Sequence, residues 1–132
     1  MRKPYGQRGT WAVIAGGGTA GHVIPAVAIG RALVDLGHPP SAVHFVGSRR
    51  GMERRLVPEA GFAITLLPGR GVARRLTIDN VAAVAGLLAA VARGVVLMAR
   101  RRPSIVISVG GYASVPCTVA AITLRVPFVV AE

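Results

Sequence analysis

The sequence predicts an α/β fold built on a doubly wound parallel sheet. Short apolar stretches typical of buried strands alternate along the chain with longer stretches typical of helices. Residues that end helices lie at the boundaries: Gly37-His38-Pro39-Pro40 follows the first helical stretch and Pro103 follows the third. With 132 residues, 52% of them hydrophobic, the chain has the length of one domain and enough apolar side chains for a core.

The alternation predicts five strands and four helices. The predicted strands are Trp11–Ala15, Val43–Gly47, Ala63–Leu67, Ser104–Val109 and Phe128–Val130. The predicted helices are Pro25–Leu36, Met52–Ala60, Asp79–Arg101 and Val115–Leu124. Residues 1–10 are predicted to be a flexible basic N-terminus, and residues 11–132 to form the domain.

The charge of the chain indicates an anionic partner. The formal net charge is +11, which favours nucleic acid, anionic lipid or phosphorylated substrates. Aromatic residues are only 5% of the chain and do not alternate with basic ones, and no zinc spacing or basic recognition helix is present, so nucleic acid is disfavoured. Cys117 is the only cysteine and lies in an apolar stretch, which predicts a buried thiol and a reducing compartment.

One helical stretch, Val81–Ala99, is apolar and about long enough to cross a bilayer, and Arg100, Arg101 and Arg102 follow it. However, it is rich in alanine and glycine, Arg93 interrupts it, and its bulky residues recur at helical spacing. We therefore predict a helix packed on the sheet, with one side near a membrane, rather than a span. The bulky residues are Val81, Val84, Leu88, Val91, Val95 and Met98.

Two glycine-rich loops, Gly16–Gly21 and Gly110–Ser114, follow the first and fourth predicted strands. In a doubly wound sheet both lie at the carboxyl edge, where ligands bind. Backbone N–H groups at such a strand-to-helix turn approach phosphates, although glycines also serve tight turns. Ser114 is expected either to cap its helix or to donate to a phosphate, and Tyr112 either to stack on a ligand or to pack.

The first loop allows a dinucleotide-binding interpretation, because Gly16, Gly18 and Gly21 satisfy the G-x-G-x-x-G fingerprint. Such domains carry an acidic residue at the end of the second strand, which grips the ribose hydroxyls. The corresponding segment here, Val46-Gly47-Ser48-Arg49-Arg50, has none. Arg49 could accept a 2′-phosphate, so an NADP-binding oxidoreductase domain remains an alternative, although it gives His22 and Pro25 no function.

The same residues resemble the MurG family of peptidoglycan glycosyltransferases, from Trp11 almost to the end of the chain. The matching segments are the first glycine loop Gly17–Ala26, the second strand and helix (Gly47-Ser48, Gly51-Met52-Glu53, Leu56-Val57-Pro58), the second glycine loop Gly110–Pro116, and Val126–Val130 before the family's HEQN motif. The sequence departs from the family at Ala20, which is usually glycine, and at Ala131, where HEQN has histidine. Glu132 matches the glutamate of that motif.

The resemblance implies a Rossmann-like domain, the N-terminal acceptor-side half of a GT-B glycosyltransferase. The reaction implied is inverting transfer of N-acetylglucosamine from UDP-N-acetylglucosamine to the C4 hydroxyl of lipid I, giving lipid II at the cytoplasmic face of the bacterial membrane. The C-terminal donor domain is not in the sequence, so we expect the chain alone to be inactive, as a fragment or as one half of a split enzyme. A non-catalytic membrane-docking subunit, which recruits a separate donor-binding chain, is a further alternative.

The resemblance also implies roles for individual residues. His22 is the expected base for the acceptor hydroxyl, or else a helix cap or phosphate ligand. The donor would bind at Thr19, Ala20 and Gly21, with Glu132 as a possible cleft residue. The acceptor diphosphate would bind at Gly17, Gly18, Gly110, Gly111, Tyr112 and Ser114. The membrane would contact Arg70, Arg74, Arg75, Leu76, Arg100, Arg101 and Arg102. No metal or other cofactor is expected, and helix dipoles would stabilise the leaving group.

Overall fold

The predicted parallel sheet is present in the computed structural model, which describes residues 9–68 and 78–131. Its five strands have the order β3-β2-β1-β4-β5, and every neighbouring pair is parallel. The doubly wound fold is therefore confirmed. The strands are β1 (Ala12–Ala15), β2 (Val43–Ser48), β3 (Ala63–Leu67), β4 (Ile105–Ser108) and β5 (Phe128–Val130).

The helices between the strands are also those predicted. They are α1 (Ala20–Asp35), α2 (Glu53–Glu59), α3 (Ile78–Arg101) and α4 (Ser114–Thr123). A 3₁₀ turn at Pro40–Ala42 before β2 was not predicted. Most boundaries lie within one residue of the prediction, and the start of α1 is the exception.

The prediction that α1 begins at Pro25 was wrong, because the helix begins at Ala20 and contains Pro25 in its second turn. Thr19 has extended backbone, and its carbonyl accepts the N–H groups of His22 at 3.1 Å and Val23 at 3.0 Å. A proline in the second turn lacks only its own bond to the carbonyl four residues earlier, that of the exposed Gly21, which water can satisfy. The first glycine loop is consequently shorter than predicted, and His22 belongs to the helix.

Helices cover the sheet on both faces. On one face, Val13 and Ala15 of β1 belong to a buried cluster with α3 and α4, which includes Cys117 as predicted. On the other face, Ile14 of β1 belongs to a cluster with α1 and α2. Alternate residues of β1 point to opposite faces, which is why its four residues are all buried.

The third helix packs its small residues inward, as the buried Ala83, Ala90 and Gly94 show. A Cβ on Gly94 would lie 3.3 Å from the carbonyl oxygen of Pro116, so glycine there allows a close approach of α3 to α4. The predicted packing on the sheet is confirmed, but the bulky stripe is divided. Met98 is buried, Val91 and Val95 are half-buried, and Val81, Val84 and Leu88 are exposed. By length and composition alone, the stretch Val81–Arg101 could cross a membrane.

Candidate functional site

The two glycine loops follow neighbouring strands, β1 and β4, where the strand order reverses. This position is where ligands bind to doubly wound sheets. We call Gly16–Thr19 the first loop and Val109–Ala113 the second loop. They contact each other directly, because the N–H of Gly17 donates to the carbonyl of Gly110 at 3.1 Å.

The glycines of both loops permit this close contact. A Cβ on Gly16 would overlap the carbonyl of Gly110 and the side chain of Val109. A Cβ on Gly111 would overlap the backbone of Gly17, and Gly111 also has a φ of +89°. These glycines are therefore required by the packing of one loop against the other, with or without a ligand.

Glu53, which the sequence analysis gave no functional role, is the polar centre of the first loop. It is the first residue of α2 and is only 2% exposed. Its Oε2 accepts the N–H of Gly18 at 2.8 Å, and its Oε1 accepts the N–H and hydroxyl of Ser48 at 2.7 and 3.0 Å. The carboxylate thus joins the first loop to the end of β2.

Three glycines make room for this carboxylate. A Cβ on Gly17, Gly47 or Gly51 would overlap the side chain of Glu53. The only sequence signal was the clustering of Gly47, Ser48 and Gly51 directly before a glutamate, which gave no indication that the side chain would turn back onto the first loop. Gly17 and Gly47 are thus placed to accommodate an internal anion.

The remaining open donors lie at the starts of α1 and α4. Among the residues that the structure describes, the N–H groups with no acceptor within hydrogen-bond distance are those of Thr19, Ala20 and Gly21 before and in α1, and those of Gly110, Gly111, Tyr112 and Ala113 before α4. Both helices lack a side-chain cap. Unpaired N–H groups and the positive end of the helix dipole together favour an anion.

A cavity of about 410 Å³ opens beside the start of α1. Its walls include Gly21, His22, Pro25, Val109 and Ala131. The Nδ1 atom of His22 lies 3.2 Å from the Oγ1 atom of Thr19, so Thr19 binds the imidazole instead of capping the helix. If Nδ1 carries the proton and donates to Thr19, the Nε2 lone pair is free to accept a proton.

Tyr112 and Ser114 make internal contacts. The hydroxyl of Tyr112 donates to the carbonyl of Pro68 at 3.1 Å, the ring packs against the core beneath α4, and burial raises the pKa of the phenol. The hydroxyl of Ser114 donates to the carbonyl of Gly111 at 2.7 Å. Ser114 is the first residue of α4, after the cap position, so the prediction that it caps the helix was wrong.

Several predicted site residues lie outside the described residues: Arg70, Arg74, Arg75, Leu76 and Glu132. Of the other predicted membrane residues, Arg100 and Arg102 are exposed at the end of α3. Arg101 turns inward instead: its guanidinium donates to Thr10 Oγ1 at 3.2 Å, and burial lowers its pKa.

The dinucleotide interpretation fits this geometry poorly. In dinucleotide-binding domains the amides of the first glycine loop face a pyrophosphate. Here the N–H of Gly17 is bonded to Gly110 and that of Gly18 to Glu53, and the buried carboxylate would repel a phosphate at this position.

Within residues 9–68 and 78–131, no cluster of three or more His, Cys, Asp or Glu residues could hold a metal ion.

Comparison with known proteins finds relatives that match most of this chain. The transferase of Carboxydothermus hydrogenoformans named UDP-N-acetylglucosamine--N-acetylmuramyl-(pentapeptide) pyrophosphoryl-undecaprenol N-acetylglucosamine transferase is 37% identical over 120 residues, covering 91% of this chain and 32% of that protein. The Magnetococcus marinus protein of the same name is 41% identical over 125 residues, with 91% and 32% covered. The chain therefore spans about a third of the length of these relatives.

A solved structure shows the same fold. The crystal structure of Acinetobacter baumannii MurG superposes with a TM-score of 0.77 at 28% identity, covering 92% of this chain and 34% of that one. The model of the glycosyltransferase family 28 N-terminal domain matches residues 12–132. This match includes all five strands and both glycine loops, and on this basis the chain belongs to glycosyltransferase family 28, through its N-terminal domain.

Proposed function

We propose that this chain is the acceptor-side domain of an inverting transferase that moves N-acetylglucosamine from UDP-N-acetylglucosamine to lipid I, forming lipid II. The observation that carries the proposal is the cavity at the first loop. It brings His22 together with the start of α1, beside a second open helix start at α4. The names of the relatives support this choice of donor and acceptor.

His22 is the base of the proposed reaction. An inverting displacement requires a group that removes the proton of the attacking hydroxyl within hydrogen-bond reach. The bond between Nδ1 and Thr19 orients the ring, and with the proton on Nδ1 the Nε2 atom accepts the C4 hydroxyl proton of the acceptor sugar. Thr19 is thus proposed to select the tautomer of His22 in addition to lining the donor side.

The two helix starts divide the phosphate groups between them. The open amides of Ala20 and Gly21 serve the donor, and those of Tyr112 and Ala113 serve the acceptor diphosphate, held beside Gly110 and Gly111. Gly17 and Gly18 contribute through the shape of the first loop, since their N–H groups are already bonded. The helix dipoles stabilise leaving-group charge, so we propose a transfer that needs no metal ion.

The exposed side of α3 is proposed to contact the inner membrane, in which lipid I is anchored. Val81 is 71% exposed and Leu88 is 66% exposed, and the exposed Arg93 and Arg100 follow them on the same helix. Anionic lipid attracts such arginines by roughly 1 kcal/mol each. The enzyme would accordingly be a peripheral protein of the cytoplasmic membrane face.

The catalytic test uses this domain joined to a C-terminal donor domain and measures lipid II formation. We expect His22→Ala to lower kcat by about 10²- to 10⁴-fold, the usual contribution of general base catalysis. His38→Gln is the matched control, because His38 lies in the turn after α1 and outside the cavity. Near-normal turnover by His22→Ala would remove His22 as the base. Turnover by the 132-residue chain alone would contradict its role as an acceptor half.

The membrane test measures binding to vesicles that contain phosphatidylglycerol. We expect binding to weaken by about tenfold between low and high salt, because the arginine contribution is screened. Leu88→Gln should weaken binding, whereas Ile24→Gln on α1, with a similar exposure of 62%, should not. Binding that is unchanged by salt and by Leu88→Gln would contradict the proposed membrane face.

A further inference from the structure

We propose that Glu53 is a positioning residue for the transfer reaction. Its carboxylate acts as an internal anion that fixes the first loop to β2 and so sets the position of His22 and of the open amides of α1. The inference rests on the proposed function, because it assigns Glu53 a part in that reaction. Glu53 does not line the cavity and acts only through the loop.

The path from Glu53 to His22 is short and continuous. Gly18 donates to the carboxylate at 2.8 Å, and its carbonyl accepts the N–H of Met52 at 3.3 Å, so the peptide groups before and after Gly18 are both held by α2 and the turn before it. Thr19 follows directly. Its carbonyl accepts the N–H of His22, and its hydroxyl binds the imidazole. A displacement of Gly18 therefore reaches the imidazole through one intervening residue.

Gly18, Ser48 and three glycines form a cage around Glu53, which is buried, and burial of a charge costs free energy. A buried carboxylate is tolerated only when hydrogen bonds replace its hydration. Here three donors and the start of α2 surround the group, and three glycines leave it room. The first loop is consequently complete before any ligand binds, which is the preorganisation that an electrostatically driven transfer requires.

The internal anion also directs where a ligand anion can bind. Since Gly18 already donates to Glu53, a phosphate of the substrate is excluded from that N–H and repelled by the carboxylate. Within the described residues, the next N–H groups along the chain without a bonded acceptor are those of Thr19, Ala20 and Gly21. Glu53 thereby moves the anion toward the start of α1 and beside His22.

The test compares Glu53→Gln with wild type in the chain joined to a donor domain. Glutamine has the same shape, but one of its two oxygen positions is replaced by NH₂. This NH₂ group must face either the Gly18 N–H or the Ser48 N–H, so one hydrogen bond becomes a donor–donor contact. We expect kcat to fall by about 10²-fold with the acceptor KM changed less than threefold, as for a misplaced catalytic group. Glu59→Gln, at the exposed end of the same helix, is the matched control and should retain full kcat.

A double-mutant cycle separates positioning from general stability. If Glu53 acts through His22, Glu53→Gln should lower the residual rate of the His22→Ala variant by less than about threefold. A full further loss in that background, or a wild-type kcat in Glu53→Gln alone, would overturn the inference. If Glu53→Gln does not fold, Ser48→Ala removes one of the three bonds and keeps the charge, and it should lower kcat about fivefold. An unchanged kcat in Ser48→Ala would then overturn the inference.

Hydrogen exchange of the Gly18 amide provides a readout independent of activity. We expect this amide to be protected in wild type and to exchange at least tenfold faster in Glu53→Gln. If the joined protein forms no lipid II, the proposed function fails, and the inference fails with it even if Gly18 is protected as expected. If the joined protein is active and Glu53→Gln matches it, only the inference fails.

Discussion

The two glycine loops connect neighbouring strands to helices in the same way, but their backbone N–H groups are used differently. In the first loop, the N–H groups of Gly17 and Gly18 are bonded to the second loop and to Glu53. In the second loop, Tyr112 and Ala113 keep open N–H groups. The bonds that hold this loop come from side chains: the hydroxyl of Tyr112 donates to the carbonyl of Pro68, and Ser114 of α4 donates to the carbonyl of Gly111.

The difference shows that a glycine-rich turn does not by itself identify a phosphate site. Glycine removes the Cβ that would block a close approach, but the group that approaches can belong to the protein. At Gly16, Gly17 and Gly111 the approaching groups are a carbonyl, a carboxylate and another backbone segment. Open amides, rather than glycine content, are the useful criterion for where a ligand binds.

The largest expected effect is on the contact between the loops. Gly111→Ala combines a positive φ with overlap onto the rigid backbone of Gly17, so we expect the free energy of unfolding to fall by about 4 kcal/mol. Gly37→Ala is the control, because Gly37 also has a positive φ but no atom within 4 Å of a Cβ there. It should cost about 1 kcal/mol. Urea unfolding of both variants makes the comparison, and equal losses would show that the loop contact is soft.

A second prediction uses acid to compare the loop edge with the opposite edge of the sheet. Burial, with a smaller contribution from Arg101, lowers the pKa of His44 to about 4 from its ordinary 6.5, and its Nε2 lies 2.7 Å from Thr65 Oγ1. Between pH 6.5 and about pH 4, His44 is therefore protonated in the unfolded chain and neutral in the folded chain. This contribution to stability is complete above pH 6.5 and is lost as the pH falls toward 4, by up to about 3 kcal/mol.

His44→Gln should remove most of this dependence of the free energy of unfolding on pH. Unfolding measured between pH 7 and pH 4 gives the slope of that dependence for each variant. Since His44 is near the start of β2 and the loops are at the carboxyl ends of the strands, Gly111→Ala should keep the wild-type slope. A different slope in Gly111→Ala would mean that the two edges are coupled.

The smallest expected effect on stability concerns the contact between Gly17 of the first loop and the side chain of Glu53. Gly17→Ala and Gly18→Ala both place alanine at a positive φ, but only the Cβ on Gly17 overlaps Glu53. We expect Gly17→Ala to be less stable than Gly18→Ala by about 2 kcal/mol. In a Glu53→Ala background this difference should disappear. Persistence of the difference in calorimetry would show that the penalty at Gly17 has another origin.

The apolar stretches, together with the glycines and prolines at their ends, were sufficient to predict the strands, the order of the elements and the parallel sheet. The sequence pattern places the start of α1 too late because proline is commonest at the first helical position, whereas Thr19 begins this helix with its carbonyl and not with its side chain. Local sequence does not reveal which of these two start signals dominates.

The sequence also did not indicate that polar groups of the site bond to one another within the protein. The sequence indicated that Gly17, Gly18, Tyr112 and Ser114 lie at one edge, which is correct. It did not show that Glu53 would reach across from α2, since this depends on where β2 ends relative to β1. Similarly, the helical spacing in α3 predicted a bulky stripe, but the close approach at Gly94 decides that much of it faces outward.

The central position of β1 has a consequence for the order of folding. Ala12 pairs with Val43 on one side and with Ile105, far along the chain, on the other. During synthesis the first loop therefore leaves the ribosome long before the second loop exists, and β1 keeps one edge unpaired until β4 arrives. Pairings across such a sequence distance form slowly and leave strand edges exposed meanwhile. The two loops thus meet only when most of the chain has been made.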